Sequence, residues 1–175
     1  NGDEEPGSPR SRALIPTVAE GVDYALDLEL AEPDGSIVEA RKGVGIFTIT
    51  VHGRAAHAGQ EPEKGINANR ELAYQILAAE DLADPATGTT VNAGRIEGGT
   101  VPYAISAWAQ ARLDVRVSTP AEQARMEGAL AALAQANRVP GTTIEVAGHF
   151  HRPPMSVLPG ASVLRAAVEA AAAAC

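Results

Sequence analysis

The segment from Ala107 to Val117 constrains the fold more than any other. Ala107, Ala109, Ala111, Leu113, Val115 and Val117 fall on one side, and Trp108, Gln110, Arg112, Asp114 and Arg116 on the other. An unbroken period of two is the period of a strand with one buried face. The next residues, Thr119-Pro120-Ala121-Glu122, form a capping-box sequence with proline at the first helical position. Met126, Leu130, Leu133 and Ala134 then supply an apolar helical stripe. A strand that buries one face and hands the chain to an amphipathic helix calls for a sheet covered by helices on one side.

The flanking segments complete that sheet. Val44 to Gly53 alternates, with Phe47, Ile49 and Val51 on one side and Thr48, Thr50 and His52 on the other. A loop holding His57, Ala58, Gly59 and Pro62 leads to a helix near Asn67–Ala79, where Leu72/Ile76 and Ala73/Leu77 sit four apart. A strand at Thr89–Ile96 ends in the turn Gly98-Gly99. Pro140-Gly141 leads into a last strand from Thr143 to Phe150. The order strand, helix, strand, strand, helix, strand predicts an α/β chain with a ferredoxin-like βαββαβ domain. Two helices cover one sheet face, and a polar set including Arg112 and Arg116 occupies the other.

Residues 43–151 make a complete small domain in this reading. Residues 1–42 and 152–175 do not close a core alone, so they are expected to be two pieces of a larger domain into which the first is inserted. Within them, residues 1–12 read as a loop and Gly21–Glu29 as a strand. Glu32-Pro33-Asp34-Gly35 reads as a turn, with Ile37–Arg41 pairing back as a hairpin, and Ala161–Ala174 as a helix. That last helix stops without a cap, and the chain is expected to be a fragment of a longer protein.

Composition excludes several classes. The chain has 175 residues, of which 45% are hydrophobic and 21% charged, an ordinary globular balance. Its net charge of -8 opposes nucleic-acid binding, which needs a basic face. The Ala-rich end is interrupted by Arg165 and Glu169, so no membrane span is expected. Cys175 is the single cysteine, which leaves no disulfide framework. No basic-then-apolar leader is present, and a cytoplasmic location is the expectation. The first forty residues carry ten acids against Arg10 and Arg12, and so hold the whole net charge. Such a block is either a solvated face or a carboxylate site that takes its counter-charge from metal ions.

Five positions invite a chemical reading, each beside a plainer one. Asp3-Glu4-Glu5 lies in a Gly/Pro-rich stretch. Neighbouring side chains on an extended backbone diverge, so one could bind a metal while the other faces a metal-bound water; the plainer reading is a solvated acidic turn. Glu29 ends a strand pattern, where functional residues of α/β sheets gather, or is an edge-strand surface residue. His57 stands in Gly53-Arg54-Ala55-Ala56-His57-Ala58-Gly59, where small neighbours leave the imidazole prominent; a lone loop histidine is otherwise merely exposed. His149 and His151 share one strand face and read as structural. Arg116 is either a fork for a substrate carboxylate or the partner of Asp114 on a solvated sheet.

Together these stretches resemble the di-zinc exopeptidases and deacylases that include glutamate carboxypeptidase, aminoacylase, acetylornithine deacetylase and succinyl-diaminopimelate desuccinylase. The resemblance rests on Asp3–Ser8, Asp23–Glu29, Ala40–Gly45, Gly53–Gly59, Gly65–Ala68 and Leu113–Arg116, in the family's order and spacing, and looks closest to the glutamate carboxypeptidase branch. It implies a lid or dimerisation domain inserted into an incomplete α/β zinc-exopeptidase catalytic domain, a homodimer, and two zinc ions per active site. It further implies that Glu4 is the general base, Glu5 a ligand of one zinc and Glu29 of the other. By the same resemblance His57 steadies the oxyanion in the partner subunit's site, and Arg116 binds the substrate carboxylate of a small peptide or N-acyl amino acid.

Three departures accompany it. The family's upstream His-x-Asp and bridging Asp, and its downstream His, have no counterpart here. Tyr103 and Ser106 stand where relatives usually carry Asn and Pro, which makes Tyr103 a substrate-binding candidate with altered preference. Leu30 replaces a proline. The alternative from another class is a non-catalytic ferredoxin-like dimerisation or small-ligand-binding module.

Overall fold

The computed structural model describes residues 8, 10–26, 33–157 and 160–174. The chain divides into two compact units, Lys42–Met155 and Asn1–Arg41 with Ser156–Cys175. In the second of these, the described residues form the short helix α1 (Ile15–Val18) and, later, α4 (Ala161–Ala173). Arg165 of α4 bonds Glu39 at 3.1 Å.

The Lys42–Met155 unit contains β1 (Gly43–His52), β2 (Ala56–His57), α2 (Ala68–Glu80), β3 (Thr90–Gly98), β4 (Ala104–Ile105), β5 (Trp108–Val117), α3 (Pro120–Leu133) and β6 (Thr143–Arg152). Four strands form one antiparallel sheet in the order β3-β5-β1-β6, and β2 pairs with β4 in a separate two-stranded ribbon. Chain neighbours β1 and β3 have β5 between them, and β5 and β6 have β1 between them. This is the split βαβ arrangement that the periodicity predicts.

Alternation places the core. On β1 the odd-numbered residues are buried, and on β5 Ala109, Ala111, Leu113, Val115 and Val117 lie on the same side. Met126, Leu130 and Leu133 of α3 and Leu72 of α2 close over them. Phe47 and Phe150 meet edge to face with centroids 5.5 Å apart, one of the preferred aromatic geometries. Both α-helices of this unit start on side-chain caps: Asn67 accepts from the Arg70 N–H at 3.1 Å, and Thr119 from the Glu122 N–H at 3.2 Å.

Four expectations need correction. The described part of the strand predicted over Gly21–Glu29, residues 21–26, is not a strand. In the hairpin partner predicted over Ile37–Arg41, residues 37–40 are not in a strand and Arg41 makes only an isolated bridge. A strand is stable only when its backbone groups find a neighbour, and no strand is present in that unit among the described residues. The buried stripe of α2 runs through Ala68, Glu71, Leu72, Gln75 and Ala79, whereas Ala73 and Leu77 face outward. A buried polar cluster around Glu71 sets that rotation. The capping box is half made: the Glu122 carboxylate turns away from Thr119 and accepts from Thr89 at 2.7 Å, Thr87 at 3.2 Å and Arg125 at 2.8 Å. Arg125 also donates to the Leu82 carbonyl at 3.1 Å, so this cluster ties α3 to the connection between α2 and β3. No described helix is long and apolar enough to cross a membrane.

Candidate functional site

The chain leaves β1 through Gly53, whose N–H donates to the Ala107 carbonyl at 2.8 Å. A Cβ at this position would lie 2.1 Å from the Ile66 carbonyl oxygen, so the close approach requires glycine. Arg54 and Ile66 exchange two backbone hydrogen bonds of 2.9 Å, and the Arg54 side chain donates to the Lys64 carbonyl at 2.6 Å. The segment between them is thereby closed into a loop, and β2 carries His57 on it.

Backbone groups hold His57 on two sides. Its residue pairs with Ala104 of β4, and the next N–H, of Ala58, donates to the Tyr103 carbonyl at 2.9 Å. The imidazole Nδ1 accepts from the N–H of Gly59 at 3.2 Å and of Gln60 at 3.1 Å. A nitrogen that accepts two N–H groups is the unprotonated one, so the neutral ring carries its proton on Nε2. The side chain is exposed, and Nε2–H is a donor aimed away from the loop that holds it. The Tyr103 ring stacks against the imidazole with centroids 6.2 Å apart and planes inclined by 30°.

Arg116 is held differently. Its Nε and Nη2 donate to the two carboxylate oxygens of Asp114 at 2.7 and 2.9 Å, the bidentate geometry of an Arg–carboxylate fork. Hydrogen bonding to Asp114 raises the guanidinium pKa further, so the group is always charged. Nη1 bonds none of the described residues, and its N–H groups together with the second N–H of Nη2 can receive a second carboxylate.

The sheet keeps His57 and Arg116 apart. On β5, Trp108 pairs with His52 at the end from which the His57 loop departs, while Arg116 pairs with Val44 at the opposite end. Eight residues of strand separate these positions, about 27 Å at 3.4 Å per residue. One small amide substrate cannot touch both side chains of a single chain.

Glu4, Glu5 and Glu29 lie outside the described residues. Among the described residues no group of three or more His, Cys, Asp or Glu could hold a metal ion, His149 and His151 included. The described side chains therefore do not fit a zinc site by themselves.

A feature with only a faint sequence signal lies beside His57. An open polar cavity of about 420 Å³ is lined by Asn67, Asn69, Gly98, Thr100, Ala104 and Ser106. In the sequence, Gly98-Gly99 reads only as a turn, and Asn67 and Ser106 stand out only through the family resemblance. Ser106 borders it, with its hydroxyl donating to the Trp108 carbonyl at 2.6 Å and accepting the Trp108 N–H at 3.3 Å. The Gly99 N–H donates to the same Trp108 carbonyl at 3.3 Å, which brings the start of the 99–106 segment back onto β5.

Comparison with known proteins follows the same outline. The family profile described as the peptidase dimerisation domain matches residues 40–142. Carboxypeptidase G2 of a Pseudomonas species is 31% identical over 147 residues, which cover 83% of this chain and 35% of that protein. A peptidase M20 domain-containing protein of Schizosaccharomyces pombe is 32% identical over 100 residues, covering 52% of this chain and 25% of that protein. Among solved structures, aminopeptidase PepT of Bacillus cereus superposes with a TM-score of 0.58 at 27% identity, over 73% of this chain and 34% of that one. An amidase of the hydantoinase/carbamoylase family from Burkholderia multivorans shares the fold with a TM-score of 0.60 at 20% identity, over 75% of this chain and 33% of that one. This chain thus spans about a third of the length of carboxypeptidase G2 and of either solved structure.

Proposed function

Because this chain belongs to the peptidase dimerisation domain family, we propose that it is part of a homodimeric zinc hydrolase that cleaves a C-terminal peptide bond or the amide of an N-acyl amino acid. Residues 43–151 are its lid and dimerisation domain, and 1–42 and 152–175 belong to its catalytic domain. Glu5 and Glu29 are the side chains this chain would contribute to zinc, with the other ligands outside it, and Glu4 is the general base. When bound, zinc would supply electrophilic polarisation of the scissile carbonyl.

The observation that carries the reading is the pairing of a preset donor with a distant fork. His57 offers Nε2–H from an imidazole whose other nitrogen is already satisfied, which is what an oxyanion donor needs. Arg116 offers its second edge to a substrate carboxylate, at the far end of the sheet. A substrate bound to Arg116 of one copy must take its oxyanion donor from His57 of another. Dimerisation is then a condition of catalysis in this scheme.

Mixing two inactive chains of the longer polypeptide tests it. A Glu4→Ala chain and a His57→Ala chain each form an impaired homodimer. Their heterodimer keeps one site with an intact Glu4 and the partner's intact His57, and should regain turnover. Confirmed heterodimers without activity would rule out donation across the dimer. Arg116→Ala should raise KM by roughly ten- to a hundredfold, because a hydrogen bond to a charged group contributes about 1.5–3 kcal/mol. Arg116→Lys should recover only part of that loss, since the ammonium lacks the two-pronged edge.

A further inference from the structure

Tyr103 is the residue whose placement the fold explains least. The residue is 62% exposed, which is a poor use of a large side chain in a chain that is 3% aromatic. Its hydroxyl bonds none of the described residues. The described ring contact it makes is with the imidazole of His57. Its backbone is nonetheless fastened to the same loop: its carbonyl accepts the Ala58 N–H, and β4, which follows directly, pairs in register with β2. Ile105 of β4 in turn packs against Gly65, where a Cβ would come within 2.4 Å of the Ile105 Cδ1.

We propose that Tyr103 is a positioning residue that acts through His57. Two backbone N–H groups restrain the Nδ1 edge of the imidazole, but an edge alone leaves the ring free to tip about that edge. Tyr103 closes one face and removes that freedom. Edge and face together leave Nε2–H one direction in which to donate, so the donor is oriented before substrate arrives. Preorganisation of this kind lowers the reorganisation needed as charge develops on the oxyanion. The phenol hydroxyl has no part in this, so the requirement is for a flat ring. The inference rests on the reading of His57 as the oxyanion donor, and it reassigns Tyr103 from substrate contact to support of that donor.

A double-mutant cycle in the full-length dimer separates the two ideas. Tyr103→Ala should lower kcat by roughly tenfold with KM unchanged, since a small misplacement of a catalytic group is costly. Tyr103→Phe should retain activity. In a His57→Ala background, Tyr103→Ala should cost nothing further. A rise in KM at constant kcat, an additive loss in the double variant, or a Tyr103→Phe enzyme as poor as Tyr103→Ala would each overturn the proposal. If His57→Ala itself leaves kcat unchanged, the donor reading fails, and the positioning role fails with it. The 175-residue chain provides a readout independent of turnover. Its His57 ring protons should carry a ring-current shift that persists in Tyr103→Phe and disappears in Tyr103→Ala. An unchanged His57 spectrum in Tyr103→Ala would show that the stack does not hold the imidazole.

Discussion

Glu71 and His57 both depend on backbone N–H groups, yet the two regions put them to opposite uses. Glu71, on the buried face of α2, is fully enclosed. Its carboxylate accepts from the N–H groups of Arg138 (2.9 Å) and Val139, from the Thr142 hydroxyl at 3.2 Å and from the Gln75 amide at 2.7 Å. The Gln75 amide also donates to the Ala136 carbonyl at 3.1 Å, so the whole connection from α3 to β6 is gathered onto one turn of α2. Every bonding direction of Glu71 is consumed within the protein. His57 accepts two N–H bonds as well, but its second nitrogen is left pointing to solvent. A buried group that is fully satisfied holds structure, whereas an exposed group that is held at one end and open at the other is equipped to act on something else.

The largest effect that tests this contrast belongs to Glu71→Ala. Two backbone N–H groups and one proton of the Gln75 amide lose their acceptor in a closed environment, whereas the Thr142 hydroxyl keeps the Val139 carbonyl at 2.8 Å; the cost is about 1–3 kcal/mol for each group left unsatisfied. A total of roughly 3–5 kcal/mol is expected, a large fraction of a domain's stability, measurable by chemical denaturation. A loss below about 1 kcal/mol would mean that water replaces the carboxylate, and the contrast with His57 would dissolve. His57→Ala comes next: under the proposed function, kcat of the longer polypeptide should fall by roughly 10²–10³, as removal of one oxyanion donor typically does. Its unfolding midpoint should stay near that of the unmodified chain, because an exposed loop side chain outside the core is usually within about 0.5 kcal/mol of neutral. Destabilisation matching that of Glu71→Ala would place His57 among the structural groups.

The smallest effect concerns Glu122, a third carboxylate that resembles Glu71 in having a structural role but lies at the protein surface. Hydrogen bonds from Arg125 first, then Thr89 and Thr87, hold its pKa down at about 2. A depressed carboxylate pKa adds stability above the unfolded value of 4.5 and loses it as pH falls from there toward 2. Unfolding measured across that window should show a steeper acid limb in the unmodified chain than in Glu122→Gln. Identical limbs would remove Glu122 from the set of structural carboxylates.

Local regularities in the sequence were enough to determine the strands β1, β5 and β6, the helices α2 and α3, and the order that makes the sheet. The period-two run through β5 and the Thr119-Pro120 start of α3 are properties of neighbouring residues, so they can be read without knowing what they pack against. The same holds for the prominence of His57 between small residues, and for the pairing of Arg116 with Asp114 two positions earlier on one strand face. The rest was decided by contacts between residues far apart in the chain. Only the arrival of residues 138–142 beside Glu71 turns α2 so that Glu71 and Gln75 are inside and Leu77 outside. Thr87 and Thr89 draw Glu122 away from its cap. The stack of Tyr103 on His57 needs β4 to fold back onto β2. The distance between His57 and Arg116 depends on which end of the sheet each one occupies. Hydrophobic periodicity records which face of an element is buried, but a hydrogen-bond partner 35 or 67 residues away leaves no periodic mark. Sequence therefore determined the elements and nominated the side chains, and tertiary structure decided which nitrogen of His57 donates, which edge of Arg116 is open, and that the two cannot serve one site from one chain.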